Sequence, residues 1–356
     1  MRREAENREI PCHVKHAGEN ILLLRNSRRS FSIPKRQSLA IPVEKVDSKV
    51  MPERSPHHWT RVFPPILVCA CLWGSAFPCI KMVYREWENK GLEIGVTDLW
   101  WFAGVRFTIA GVALLLLSKR LLPDLKASSP KLLTLFALTQ TTGQYLFFYL
   151  GLSMATGSLT SLMVSTGSFW WLLLAPLILK TPLPTRWQWF AIVVGAAGVT
   201  IAAYSPGNGE PASILGILYL LAATLLGALG VITYSQLKPT IGPRAGTGFS
   251  LFVGGLLLLV ISAPAFAHTS ALFSPKVILL TLWLAFVSAA AFTLWNHLST
   301  LHPVGLLASY RFLIPVTGIV ESLLFIPGET ATPALFIGGF LVLSSVVASQ
   351  RLATNS

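Results

Sequence analysis

Apolar residues dominate this chain from Val62 onward and are interrupted only by short polar joints. A membrane-spanning helix needs roughly 20 predominantly apolar residues, and ten windows of about that length follow one another. We expect the spans at residues 62–84, 98–118, 130–150, 157–179, 187–204, 213–235, 247–266, 276–296, 303–325 and 333–350. The pattern predicts an all-α membrane protein with ten transmembrane helices.

The composition agrees with this pattern. Hydrophobic residues make up 53% of the 356 residues and charged residues only 12%, and the mean hydropathy is +0.61. About a quarter of the residues of a soluble domain are charged. A soluble enzyme domain is therefore largely excluded.

The net charge of +13 has to be located along the chain: residues 1–61 hold 13 of the 28 Lys and Arg but also seven of the 15 acids. The longest apolar run there, 21–24, is too short for a secretory signal, and the acids argue against a transit peptide. We expect a disordered cytoplasmic tail that contacts anionic lipid, and no nucleic-acid partner. The alternative is that Met51 is the true start of the protein.

The distribution of Lys and Arg over the joints predicts the orientation. One set of alternate joints holds nine: Lys119, Arg120, Lys126, Lys131, Lys180, Arg186, Lys238, Arg244 and Arg351. The other set holds Arg85, Lys90 and Lys276. Positively charged joints stay in the cytoplasm. We therefore expect both termini to be cytoplasmic, in a protein of the plasma membrane.

The chain also contains a weak internal repeat. A shift of 146 positions lays residues 152–153 on 298–299, both Leu-Ser, and the span 157–179 on the span 303–325. In both copies a short joint with a proline, Pro182 or Pro327, leads into a final span that contains glycine. Because five spans is an odd number, the second copy must enter the bilayer from the opposite side, which makes the repeat inverted.

Inverted repeats of this kind can exchange their shapes and expose a central site to either side of the membrane in turn. We expect one five-helix repeat in residues 62–208 and a second in 209–351, enclosing the site of a secondary carrier. Two alternatives are an intramembrane enzyme acting on lipid or isoprenoid substrates and a membrane scaffold that transports nothing.

Two stretches resemble a known family. The first span contains the run Trp-Gly-Ser-Ala-Phe-Pro at 73–78, and the second half contains Pro303, Ser309, Pro315, Gly328-Glu329 and Gly338. This combination resembles the EamA-type members of the drug/metabolite transporter superfamily. The resemblance covers residues 62–351 and implies ten helices in two inverted repeats, with export or exchange of small metabolites, amino acids or drugs.

The first half departs from the family pattern at two positions. With the same shift, Phe169 stands in the place of Pro315, and Leu183 in the place of Glu329. The motif residues alone therefore support the family's repeat pattern better in the second half than in the first.

Four charged residues, Lys81, Arg106, Arg311 and Glu321, fall inside predicted spans, where a charge costs a few kcal/mol. Lys81 and Glu321 each lie about one turn from the outer end of a span, so we expect them to form an outer gate or to carry a coupling proton. The alternative for Lys81 is that its amine reaches the outer headgroups. Glu321 has the shorter side chain, which makes a role in coupling to protons the more specific hypothesis.

Arg106 and Arg311 are deeper. A guanidinium there offers two parallel donors to a carboxylate or phosphate, which favours a solute with negative charge. Backbone carbonyls of a kinked helix are an equally good explanation for each arginine.

Other candidates for the substrate site are polar or aromatic. Gln140 and Gln144 lie four residues apart on one helix face, and Trp73 and Tyr310 fall in predicted spans. These residues suit a cavity wall, although glutamines also link packed helices. Trp170, Trp171, Asn296 and His297 are further candidates for the cavity or its cytoplasmic mouth.

The sequence contains no recognised nucleotide or metal motif, and we expect neither a cofactor nor enzymatic activity. The energy for transport would then come from a gradient of solute or ions, with protons as the first candidate. The expected partners are a small solute and the lipid bilayer. A second copy of the chain, in a homodimer, is a further candidate partner.

Overall fold

The computed structural model describes residues 57–204, 213–268, 272–302, 307 and 310–354. Most of the predicted tail, the boundary at 208/209 and the motif positions Pro303 and Ser309 lie outside the described residues. The α-helices are α1 (His57–Asn89), α2 (Val96–Leu116), α3 (Leu121–Ala127), α4 (Pro130–Ala137), α5 (Gln144–Ser153), α6 (Gly157–Val164), α7 (Gly167–Leu179), α8 (Arg186–Ala203), α9 (Ile214–Leu237), α10 (Pro243–Ile261), α11 (Pro275–Leu301), α12 (Leu313–Phe325) and α13 (Pro333–Thr354). A π-helical turn (Leu138–Gly143) joins α4 to α5, and a short 3-10 helix (Ala263–His268) follows α10.

All the regular elements in the described part of the chain are helical. Seven of the described helical segments are long and apolar enough to cross a membrane, and two shorter apolar helices, Leu313–Phe325 and Pro333–Ser349, accompany them. The all-α, multi-pass prediction is confirmed. The number of ten spans and the inverted relation of the halves stay predictions.

The surface and the interior have the polarity expected for a bilayer. Large apolar side chains such as Leu116, Leu177 and Phe340 are more than 70% exposed, whereas Thr160 and Ser161 are completely buried. Lipid tails can cover the apolar surface, while the buried hydroxyls bond to neighbouring backbone. Because the outward faces of the helices are apolar as well, the sequence windows are apolar along their whole length.

Two of the predicted spans in the first half are broken helices. The third continues from α4 through the π-helical turn into α5, and the fourth is divided into α6 and α7 at residues 165–166. At the π-helical turn, the Thr141 hydroxyl lies 2.9 Å from that of Ser250, and the Thr142 hydroxyl donates to the carbonyl of Gly254 at 3.3 Å. Packing against α10 therefore accompanies the wider turn, and apolar periodicity carries no sign of it.

Helices α2 and α10 pack closely along antiparallel directions. A β-carbon at Gly111 would lie 2.6 Å from the Cα of Phe252, and one at Gly255 would lie 2.7 Å from the backbone nitrogen of Thr108. A later residue of α2 thus contacts an earlier residue of α10, as expected for antiparallel helices. Glycine on both sides allows the two backbones to touch.

Helices α8 and α13 form a second antiparallel pair. Gly198 faces Gly338, and Gly195 faces Ser345. Near the start of α8, the Gln188 side-chain amide donates to the carbonyl of Ser349 at 3.1 Å. In the predicted repeat, α8 and α13 hold corresponding positions, as do α2 and α10.

The bounds of α7 (Gly167–Leu179) and α12 (Leu313–Phe325) differ by the same 146 positions as the sequence repeat. Each helix begins just after a residue with helical backbone angles, Thr166 or Phe312, that does not cap it with a side-chain hydrogen bond. The break in the chain therefore falls at matching places in both halves. Arg311 stands at one break and Ser165 at the other.

Candidate functional site

A cavity of about 300 Å³ lies among α1, the α4–α5 segment, α6 and α7, α9, α11 and α12. Its walls are mostly apolar and aromatic, with a few amide, hydroxyl and basic groups. The lining residues used below are Trp73, Phe77, Phe136, Gln140, Gln144, Tyr145, Phe148, Trp171, Tyr234, Lys238, Phe292, Trp295, Asn296 and Arg311. This volume is at the lower end of the range for small-molecule sites.

Four of the six residues predicted to bind substrate line this cavity: Trp73, Gln140, Gln144 and Arg311. They come from three parts of the sequence and are brought together by packing alone. Asn296 and Trp171 also line it, whereas Trp170 and His297 do not. Asn296 donates to the Thr247 hydroxyl at 2.8 Å.

Two glycines on α9 allow the glutamines to approach. A β-carbon at Gly227 would lie 2.9 Å from Oε1 of Gln144, and one at Gly230 would lie 2.9 Å from the Cα of Gln140. The sequence suggests ordinary helix packing for Gly227 and Gly230. The structure adds that this packing positions the two amides at the cavity.

Aromatic rings form most of the remaining wall. Trp73 contacts Phe292 and Trp295, with ring centroids 5.3 and 5.6 Å apart. Phe77 and Phe148 lie 6.1 Å apart on a different part of the wall. These separations are typical of favourable aromatic pairs. A planar solute would find ring faces and edges on more than one side.

The charges at the cavity are positive. The Arg311 guanidinium lies 5.9 Å from the ring of Trp295, and the Lys238 amine donates to the carbonyl of Ser299 at 3.1 Å. Partial burial lowers the pKa of Lys238, which follows the last residue of α9. Among the described residues, no acid lines this cavity.

Arg106 does not line the cavity but is buried directly behind its wall, with 3% of its surface exposed. Its guanidinium donates to the hydroxyls of Tyr149 at 2.9 Å and Ser288 at 3.1 Å. It also lies 4.4 Å from the ring of Phe107 and 5.7 Å from that of Tyr145. Side-chain hydroxyls and aromatic rings therefore surround this charge, and the part of the chain that the structure describes offers its Nε no hydrogen-bond partner.

Tyr310 is not among the lining residues either. It belongs to a small apolar cluster with Ile66, Cys69 and Leu298, and its ring meets that of Phe63 edge-on. Tyr310 and Arg311 are neighbours in sequence, but only Arg311 lines the cavity; Trp295 contacts both the Tyr310 cluster and the Arg311 guanidinium.

A second, more open cavity of about 850 Å³ lies farther along α1 and α5. Its polar lining includes Lys81, Arg85, Glu88 and Glu329. In the described ranges, the residues that line one cavity are all different from those that line the other. Between them lies a group that we call the partition: Phe77, Tyr145, Phe148, Tyr149 and Arg106. On the far side of the partition, Tyr84 of the second cavity donates to the carbonyl of Tyr149 at 3.4 Å.

Lys81 and Glu321 do not occupy the equal depths that we expected. Glu321 lies opposite Gly74, whose β-carbon would be 2.8 Å from the carboxylate, whereas Lys81 is about 10 Å farther along α1. Lys81 lines the second cavity, and Glu321 lines neither. The estimate assumed that the two spans end at the same level. In the structure α12 ends at Phe325, and Arg85, still four residues before the end of α1 at Asn89, donates to the carbonyl of Pro327 beyond the end of α12.

Glu329 is a site residue that the sequence prediction missed. Its carboxylate accepts hydrogen bonds from the backbone nitrogens of Gly157 and Ser158, at 2.5 and 3.0 Å, and from the Ser158 hydroxyl at 2.6 Å. It thereby caps the first turn of α6, where a negative charge is favourable. Its place in the Gly-Glu pair was the available signal, but its partners lie more than 170 positions away.

We expect replacement of Glu329 with glutamine to destabilise the protein by about 1–3 kcal/mol, because an amide cannot accept all three bonds and carries no charge. Thermal unfolding of the purified protein measures this as a lower melting temperature. Glu88→Gln is the matched control, since Glu88 lines the same cavity but is exposed. Equal melting temperatures for the two variants would contradict the capping role.

A helical, multi-pass membrane protein that encloses a polar and aromatic cavity has the architecture of a membrane transporter. Comparison with known proteins agrees with this class. Residues 65–204 match the EamA-like transporter family. The predicted resemblance to EamA-type transporters is therefore confirmed, and the match lies in the first half, where the motif residues depart most from the pattern.

Two relatives from Bacillus subtilis (strain 168) carry the names uncharacterized transporter YvbV and uncharacterized transporter YetK. YvbV is 25% identical over 255 residues, which are 69% of this chain and 80% of YvbV. YetK is 25% identical over 230 residues, 62% of this chain and 69% of YetK. An alignment of 255 residues must extend into both halves. Both names point to a transporter rather than an enzyme.

A solved crystal structure of a protein shares the fold, with a TM-score of 0.53 and 17% sequence identity. The match covers 82% of this chain and 96% of that chain. At this identity the likeness concerns the fold alone. Together, the apolar helices and the family match support an integral multi-pass membrane transporter.

Proposed function

We propose that this protein is a secondary transporter that moves a small organic solute by alternating access, as an exporter or exchanger of metabolites, amino acids or drugs. The observation that carries the proposal is the cavity between helices of the two predicted repeats. Its wall combines α1, the α4–α5 segment and α7 from the first half with α9, α11 and α12 from the second.

The helix contacts support two halves of opposite orientation. The corresponding helices α2 and α10 run antiparallel in contact, and so do α8 and α13. The remaining main contacts occur in matching pairs: α1 with α12 corresponds to α9 with α6 and α7, and α1 with α11 corresponds to α9 with α5. Two inverted repeats require that each helix contact have a counterpart when the helices of one half are replaced by the corresponding helices of the other.

The partition supports a mechanism with two access routes. Its side chains lie between the described residues that line the two cavities along α1 and α5. We propose that the cavity with Lys238 and Arg311 faces the cytoplasm, because the Lys- and Arg-rich joints lie at that end. The second cavity would then face outward, in the plasma membrane, with both termini inside.

We propose Glu321 as the group that couples transport to protons and Lys81 as a gating residue of the outer cavity. Glu321 is a partly buried carboxylate between α1 and α12, two helices of different halves. A carboxylate at that place changes its charge when it takes up a proton, and the contact between the halves would respond.

Uptake into liposomes containing the purified protein tests the proposal. We expect at least one of the labelled amino acids, nucleosides or cationic and anionic drugs to be transported, with a rate that depends on an imposed pH gradient. Glu321→Gln should remove the dependence on the gradient and retain insertion. Glu93→Gln, in an exposed joint, is the control. Coupling that persists in Glu321→Gln would rule out this role.

Alternating access has its own readout. Single cysteines at Ser235 and Ser153, in the first and second cavities, can be labelled from either side after the native cysteines are replaced with serine. A transported solute should change the two labelling rates in opposite directions. Rates that rise or fall together would indicate a channel or a rigid scaffold instead.

A further inference from the structure

We propose that the solute of the first cavity is an aromatic organic anion, with a ring in the aromatic part of the cavity and a carboxylate at Arg311. This inference rests on the proposed function and adds the chemical class of the substrate. It follows from the charges, the unpartnered polar atoms and the rings of the cavity wall.

The first step concerns charge. Lys238 and Arg311 both line the cavity, and among the described residues no aspartate or glutamate does. A cationic solute would enter a site with two like charges and no counter-ion. An anion would neutralise charge that the protein itself leaves uncompensated.

Of the two cations, Arg311 gives the stronger indication of an anionic solute. Lys238 already donates to the carbonyl of Ser299, whereas the described part of the chain provides the Arg311 guanidinium with an aromatic neighbour, Trp295, and no hydrogen bond or ion pair. A guanidinium within the bilayer is costly unless it is paired. Its planar donor pair fits a carboxylate, so the missing partner can arrive with the solute.

The second step concerns buried polar atoms. Oε1 of Gln144 and the hydroxyl of Tyr234 are buried and find no hydrogen-bond partner among the described residues, and both residues line this cavity. Buried polar groups are nearly always paired in folded proteins. A hydroxyl or amide group on the solute would satisfy these two atoms and fix its orientation.

The third step concerns shape and hydrophobicity. Trp73, Trp295 and Phe292 form one contiguous group of rings next to Arg311, and Trp171 adds a further ring to the lining. An aromatic body would make stacked or edge-to-face contacts with this group. A small inorganic anion would leave most of the apolar wall without contact.

The fourth step concerns the route. Arg106 in the partition is a third positive charge, placed between the two cavities. Among the described residues, the acids that line either cavity, Glu88 and Glu329, line the second one, and Glu329 is engaged there by Gly157 and Ser158. An anion leaving the first cavity would therefore meet another cation at the barrier.

Four probes with one aromatic body separate the charge classes: phenylpropanoate, phenylpropanamide, phenylpropylamine and phenylalanine. Equilibrium binding of each labelled probe to the purified full-length protein is measured in detergent. We expect phenylpropanoate to bind about tenfold to a hundredfold more tightly than the amide, because the carboxylate gains charge-assisted bonds. The amine should bind more weakly than the amide.

Arg311→Gln should bring the affinity for phenylpropanoate close to that for the amide, with a much smaller loss for the amide itself, and Arg311→Lys should restore part of the loss. The matched control is Arg244→Gln, an exposed arginine at the same end of the helices that does not line the cavity. Melting temperatures of all variants confirm that they are folded.

Several results would overturn the inference: equal binding of the amine or amide, equal effects of Arg311→Gln and Arg244→Gln, or no binding of any probe. Failure of the proposed function is distinguishable from these results. Probe binding with no flux of any solute into liposomes would contradict transport, whereas flux of other solutes without binding of phenylpropanoate would contradict the substrate class alone.

Discussion

Arg106→Gln is expected to lower the initial rate of solute uptake by about tenfold to a hundredfold, while the protein still inserts and folds. The substitution removes a positive charge from the partition and leaves the hydroxyls of Tyr149 and Ser288 without their shared donor. Arg106→Lys keeps the charge but cannot reach both hydroxyls with one planar group, so we expect an intermediate rate. Uptake of phenylpropanoate into liposomes is the measurement.

The comparison with Tyr149→Phe separates charge from scaffolding. That variant removes the hydroxyl that accepts from Arg106 and keeps the guanidinium in place. If the charge is what matters, Tyr149→Phe lowers the rate only a few-fold and Arg106→Gln much more. Equal losses in both variants would show that Arg106 acts by holding α2 to α5 and α11.

Gly338→Ala is expected to lower the free energy of unfolding by about 1–3 kcal/mol, the usual cost of overpacking a close contact. The new methyl group would overlap the carbonyl oxygen of Gly198 and lie 2.8 Å from the backbone nitrogen of Ala202. Backbone atoms cannot move aside without separating α8 from α13. Thermal unfolding of the purified protein should show a clearly lower melting temperature.

The adjacent glycine provides the control. A β-carbon at Gly339 would meet only the side chain of Leu162, at 4.0 Å. Gly339→Ala has the same helix propensity gain as Gly338→Ala and should be neutral or slightly stabilising. Similar destabilisation by both substitutions would mean that the α8–α13 contact is looser than the structure indicates.

Part of the candidate site could be predicted because polar groups in an apolar window are costly. Gln140, Gln144 and Arg311 stood out for that reason, and all three line the first cavity. Lys238 could not be recognised in this way, since it follows the end of a span and resembles an ordinary joint residue. Only the tertiary structure brings the end of α9 close to α11, where Lys238 donates to the carbonyl of Ser299.

The positions that were not predicted depend on contacts between distant residues. Sequence spacing placed Lys81 and Glu321 at equal depth, but the parallel contact of α1 with α12 puts Glu321 at the level of Gly74. Tyr310 was grouped with Arg311 by adjacency, but it belongs to another cluster and only Arg311 lines the cavity. Adjacency in sequence says little about direction where a helix is broken.

The amino-acid sequence alone determined that this is a helical, multi-pass membrane protein with an EamA-like pattern, because membrane insertion depends on the hydrophobicity of each segment by itself. Tertiary structure decided which side chains share a cavity, where the partition lies, and that Glu329 caps α6. Lipid covers every outward apolar face equally well, so hydropathy cannot specify which helices meet. That choice depends on close contacts such as Gly111 with Phe252, which exist only once the helices have packed.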